Sequence, residues 1–127
     1  MKKFIIFFLV SMFVLAGCRL KENYTMQYSF TSELATETEF ETKPDGIKLA
    51  IPFADFSCDQ KSFKAVLNRT GDTFNLTISG TETDQRCSQK FSADISGIAP
   101  GSYQLRVFYL KGDQSQQAMF KDFTISE

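Results

Sequence analysis

From Tyr24 to the last residues the chain repeats one pattern: apolar and polar side chains alternate in short runs, and turn-forming residues cluster between the runs. Alternation with period two sends successive side chains to opposite faces, which suits a half-buried strand and gives no stripe for an amphipathic helix. "YTMQYSF" sets Tyr24, Met26, Tyr28 and Phe30 on one side. After the turn signal Pro44-Asp45-Gly46, Ile47, Leu49, Ile51 and Phe53 alternate in the same way. Phe63, Ala65 and Leu67 precede "RTGD", and Phe74, Leu76 and Ile78 follow it, which predicts a hairpin with Gly71 at positive φ. Phe91, Ala93 and Ile95 form the next run. "GIAPGSYQLRVFYL" then leads from a Gly/Pro turn into a run with Tyr103, Leu105, Val107 and Tyr109 on one face and Phe108 and Leu110 on the other. A strand apolar on both faces belongs near the middle of a sheet. Met119, Phe123 and Ile125 mark a last strand.

Three stretches are less regular. Thr31–Lys43 reads either as an edge strand, whose Glu37, Glu39 and Glu41 discourage pairing with other chains, or as a solvated linker. Pro52 lacks a ladder donor and belongs at an edge, a bulge or an unpaired side. Ala54–Lys61, with Cys58, and Gly80–Gln89, with Cys87, read as polar loops. Seven or eight short strands with turns between them predict an all-β fold, a single small antiparallel β-sandwich spanning 24–127.

The N-terminal residues obey a different rule. Lys2 and Lys3 precede Phe4–Ala16, an uncharged apolar run of thirteen residues. As a helix it would reach only about 20 Å, against a hydrocarbon core of about 30 Å. A basic start and a short apolar run have the form of an export signal. The run ends in "LAGC", Leu15 to Cys18. This resembles the lipobox of bacterial lipoproteins at all four positions. The resemblance implies a signal peptide over 1–17, cleavage between Gly17 and Cys18, and fatty acylation of Cys18, with 18–23 as lipidated N-terminus and polar spacer. It also implies an exported protein anchored to the cell envelope. Arg19, where an aspartate would favour retention in the inner membrane, favours the outer membrane in a Gram-negative cell. Each buried methylene of such a lipid contributes about 0.8 kcal/mol, and several chains together anchor durably.

With the signal set aside, 110 residues remain, enough for one domain. Twelve basic residues then stand against fifteen acidic ones, and the arginines at 19, 69, 86 and 106 are scattered. That distribution gives no footprint for nucleic acid. The chain has no histidine, which removes the usual general base near neutral pH and the commonest metal ligand. Once Cys18 carries lipid, Cys58 and Cys87 remain, and an oxidising compartment favours a bridge between them. Closing a loop of about 30 residues stabilises by about 3.6 kcal/mol in the chain-entropy description.

"IAPGSYQLRV" resembles the turn-into-strand segment of immunoglobulin-like and fibronectin type III domains. The resemblance implies a tyrosine corner, in which Tyr103 bonds back to the preceding turn while Ile98 and Leu105 enter the core. The core tryptophan usual in those families is absent here.

Chemistry-bearing residues are sparse. Asp55 and Asp59 flank Cys58, and Glu82 and Asp84 precede Cys87, so a bridge would draw four carboxylates toward one end. Such a group could hold calcium or act as an acid/base pair on a glycosidic bond, yet the spacing matches no calcium loop and acidic loops are ordinarily solvated. No catalytic residue, metal or cofactor is assigned. Asn23, Asn68 and Asn75 each begin an N-x-[ST] acceptor pattern. Phe56 either anchors a partner or covers the disulfide. The expected role is a non-catalytic binding or accessory lipoprotein, held to the membrane by its lipid and engaging an envelope protein or glycan through loops or a sheet edge. A carboxylate-dependent enzyme and a purely structural surface lipoprotein are the alternatives.

Overall fold

The computed structural model describes residues 24–33, 36–81 and 84–127, with the backbone alone at 53–57 and 60. Eight strands follow one another: β1 (Thr25–Thr31), β2 (Glu39–Lys43), β3 (Gly46–Ser57), β4 (Lys64–Thr70), β5 (Thr73–Gly80), β6 (Arg86–Ser96), β7 (Gly101–Lys111) and β8 (Gln114–Ile125). A single 3-10 turn at Gln60–Ser62 joins β3 to β4. Sheet A has the order β1-β6-β3-β2 and sheet B the order β4-β5-β7-β8. The predicted sandwich therefore forms. Thr31–Lys43 resolves into a short edge strand, β2, with the carboxylates of Glu39 and Glu41 outward and Phe40 turned toward the core.

The alternation sorts as physics requires. Ile47, Leu49 and Ile51 of β3, and Phe91, Ala93 and Ile95 of β6, bury against Phe74, Leu76 and Ile78 of β5 and Tyr103, Leu105 and Val107 of β7. Fully burying one such side chain is worth about 1.5–3 kcal/mol, so this inner layer dominates stability. Rings knit the two sheets together: Phe30 lies 5.0 Å from Phe63, and Phe74 meets Tyr24 edge-on at 5.3 Å; within sheet B, Phe74 meets Tyr103 edge-on at 5.5 Å. On β8 the inward phase runs Met119, Lys121, Phe123, Ile125, and at this edge position Lys121 caps the Phe40 ring at 5.7 Å instead of entering the core. An inward-phase charge on an edge strand discourages pairing with another chain.

Two features depart from expectation. First, the sandwich is not wholly antiparallel: β5 and β7 pair in parallel. The chain leaves β5, crosses to sheet A for β6, and crosses back for β7. Two crossings restore the original direction, so β6 serves as the crossover that a parallel pair needs. Second, β3 continues to Ser57, so the expected Ala54–Lys61 loop is mostly strand. A register shift between Phe53 and Phe56 marks a bulge there. Likewise β6 begins at Arg86, inside the expected Gly80–Gln89 loop. These two strand ends pair with each other, Phe56 opposite Cys87 and Ser57 opposite Arg86, and the bulge breaks the two-residue period by which a strand is read in the sequence. Pro52 sits just before the bulge, beyond the part of β3 that β2 covers, where its missing donor costs little.

The registers define two ends. At one, which we call the turn end, lie Thr25, the two-residue turns Pro44-Asp45 and Gly71-Asp72, and the connection from Ser96 to Gly101. Tyr103 Oη donates to Ala99 O at 2.6 Å there, Ile98 N to Asp45 O at 2.8 Å, and Gln104 N to Asp72 O at 2.9 Å. Gly71 takes φ 59°, and a Cβ on Gly46 would sit 1.8 Å from Ile95 O. At the opposite end lie Ser32 and Glu33, residues 36–38, residues 58–63, Thr81, Asp84 and Gln85, and the Gly112-Asp113 turn. Strands of eleven or twelve residues separate the ends by about 40 Å.

Candidate functional site

The far end carries the disulfide. Cys58 and Cys87 are bridged with Cα atoms 5.0 Å apart, tying the residue after β3 to the second residue of β6. Such a bridge fits an oxidising compartment. Beside it, Ser62 fixes the approach to β4: its N–H and hydroxyl both donate to Asp59 O, and its hydroxyl accepts from Thr81 N. Of the four carboxylates that flank the two cysteines in the sequence, Asp59 and Asp84 are exposed. Glu82 and the Asp55 and Phe56 side chains lie outside the described residues. Among the described residues no three His, Cys, Asp or Glu gather to hold a metal. Gly17, Cys18 and Asn23 lie outside the described residues as well.

The sandwich also has two outer faces, which the registers let us read row by row. On sheet A, Ser29, Ser92, Ala50 and Glu39 form one row; Gln27, Asp94, Lys48 and Glu41 form the next. Small side chains floor a shallow depression of about 920 Å³ walled by the longer ones and by Lys90. This face is densely ionic. Lys43 bonds Asp94 and reaches Ser96 Oγ at 2.6 Å, and Lys90 lies 3.6 Å from Glu33. The Lys43 hydrogen bond holds the Asp94 carboxyl below its ordinary range.

Sheet B presents a different surface. Asn68, Asn75, Arg106 and Phe120 form one row, Thr70, Thr73, Gln104 and Asp122 a second, and Val66, Thr77 and Phe108 a third. Most of these groups are neutral amides, hydroxyls or apolar side chains. Val66 and Phe120 are 52 % and 44 % exposed, large values for such residues. Arg106 lies over the Phe120 ring at 5.7 Å, within cation–π range. Thr73 Oγ1 donates to Gln104 Oε1 at 3.5 Å, and the Ser102 and Thr124 hydroxyls lie 3.4 Å apart. Asn68 and Asn75, two of the acceptor-pattern asparagines, are direct cross-strand partners on this face.

Tyr103 makes the expected corner bond, and Tyr109 makes an analogous one across the sandwich. Its hydroxyl donates to Pro52 O at 2.6 Å, and burial pushes its pKa up to about 12. Sequence reasoning missed both the Tyr109 tie and the sheet B face. Outward residues of a strand look like ordinary solvent-facing positions until the pairing of strands lines them up. Comparison of this chain with protein-family models, with curated proteins and with solved structures finds no match.

Proposed function

We propose that this chain is a lipid-anchored lipoprotein of the bacterial envelope, acylated at Cys18, that acts as a non-catalytic binding or accessory module. The observation that carries the reading is the position of Thr25. β1 enters the sandwich at the turn end, beside Ser96, while the disulfide lies at the other end. Five residues lie between Cys18 and Tyr24, and the six residue steps span about 20 Å when extended. A tether there sets the turn end toward the bilayer, holds the sheets upright, and leaves both outer faces and the disulfide end open to partners. Among the described residues no strand pairs with the outer edges of β1 and β4, on the opposite side of the sandwich from the β2–β8 contact, and strand addition would use them. The bridge suits export, and Arg19 favours the outer membrane in a Gram-negative cell.

The intact mass of the native protein tests this reading. A chain beginning at residue 18 with added acyl mass and two hydrogens lost at Cys58 and Cys87 supports it. A retained leader, or an unmodified first residue, contradicts it.

A further inference from the structure

We propose that the outer edge of β1 takes an extended segment of another protein as a fifth strand of sheet A. The segment is uncharged where it pairs and acidic beside that stretch. The inference rests on the binding reading above and names its edge and its partner class. The four edge strands differ in how they are guarded. β2 carries Glu39, Glu41 and Lys43 in five residues and packs against β8. β8 carries Lys121 in its inward phase and a register shift between Gln117 and Met119. β4 carries Lys64 and, in its inward phase, Arg69, whose guanidinium lies over the Phe74 and Tyr103 rings. Charges, bulges and inward-pointing cations are the usual protections of a sheet edge. β1 has none of them. Thr25–Thr31 contains no charged residue, proline or glycine, and its seven pairs with β6 run without a register shift.

Tyr28 marks the place. It stands in the inward phase, 6.0 Å from the buried Phe91 ring, yet is 42 % exposed because β1 is the last strand of its sheet. A strand added outside β1 covers that ring with an inward side chain of its own. It also meets the outward N–H and C=O groups of β1 along seven residues, about 24 Å. Donors and acceptors at strand spacing are complemented by another extended backbone, which selects a polypeptide over a sugar chain or a lipid. Charge then selects which polypeptide. β1 and β4 lie on the same side of the sandwich, and together they carry two cations, Lys64 and Arg69, and no carboxylate. A second copy paired antiparallel through β1 would bring its own β4 alongside and set like charges together. A segment with apolar residues opposite Met26, Tyr28 and Phe30, flanked by carboxylates, meets those cations with the opposite sign.

The test titrates the native full chain in detergent micelles with synthetic peptides in which threonine alternates with valine, isoleucine or phenylalanine between glutamate pairs at both ends. Controls have the same residues in scrambled order, or lysine pairs in place of glutamate. Saturable binding of a glutamate-ended alternating peptide is expected, and binding at least tenfold weaker for the scrambled and lysine-ended forms. Tyr28→Lys should weaken binding at least tenfold with an unchanged unfolding midpoint, and Lys64→Glu at least threefold. Phe120→Lys, on the outer face of sheet B, should leave it unchanged. Binding of none of the alternating peptides overturns the proposal. So does equal binding of the scrambled or lysine-ended forms, which needs no variant and no assumption about its folding. Binding that persists in Tyr28→Lys places the site elsewhere and overturns it too. Self-association of the native chain that Tyr28→Lys abolishes would make a second copy the occupant and contradict the proposal. An acylated chain that binds no peptide leaves the anchored reading standing, and a peptide-binding chain without acyl mass does the reverse.

Discussion

The two ends of this sandwich close by different means. The turn end uses two-residue turns, a glycine whose Cβ would strike the Ile95 carbonyl, and the Tyr103, Ile98 and Gln104 hydrogen bonds. The disulfide end has longer connections beside its two-residue turn, Gly112-Asp113, together with a bulge in β3, and a covalent bridge ties the residue after β3 to the start of β6. Short turns lose little conformational entropy on ordering and need only local bonds; long polar segments lose more and gain from a constraint on the unfolded chain. The turn end is thus fixed by geometry, and the disulfide end is fixed by chemistry.

Removing the core beneath the turn end should have the largest effect. Phe74 is fully buried among Tyr24, Tyr103 and Phe123, so Phe74→Ala should cost about 3–5 kcal/mol in denaturant unfolding. The paired change Cys58→Ser with Cys87→Ser should cost about 3.6 kcal/mol. It should also expose the 58–63 and 81–85 segments to protease before the turn end opens. Simultaneous opening of both ends would erase the distinction between them. Tyr103→Phe removes one hydrogen bond from the turn end and should cost about 1 kcal/mol, with Ala99 O left unpaired.

Two pH effects sharpen the contrast without altering the core. The folded Tyr109 pKa is raised, so stability should be full below the ordinary tyrosine value of about 10. It should then fall as pH rises toward about 12. Tyr109→Phe should abolish that alkaline loss, and ultraviolet titration should show one tyrosine ionising last. Asp94 is depressed by Lys43, so its contribution is present above the ordinary aspartate value of about 3.9 and lost as pH falls through the folded value. Asp94→Asn should make the acid limb of the unfolding curve shallower, the smallest change of the set.

Much of the fold was legible in the sequence, for a definite reason. Inward residues of the inner strands had to be apolar, so Ile47, Phe74, Phe91 and Leu105 announced their strands and their faces. Gly71 and Tyr103 announced a turn and a corner because few other residues serve there. Which strand lies beside which is not encoded in alternation, so the parallel β5–β7 pair was invisible. The strand ends around Asp55 and Arg86 were invisible too, since the bulge between Phe53 and Phe56 breaks the two-residue period. The sheet B face was hidden for the first of these reasons: Asn75, Arg106 and Phe120 become one row only when three strands are in register.

The opposition of the ends is tested most directly by their distance from the bilayer. Fluorophores are attached at Asp72→Cys and, separately, at Asp113→Cys in the acylated chain on vesicles, with an energy-transfer acceptor on the lipid headgroups. Strong transfer from position 72 and weak transfer from position 113 is the predicted result. Equal transfer from both, or stronger transfer from 113, would contradict an upright sandwich tethered at its turn end.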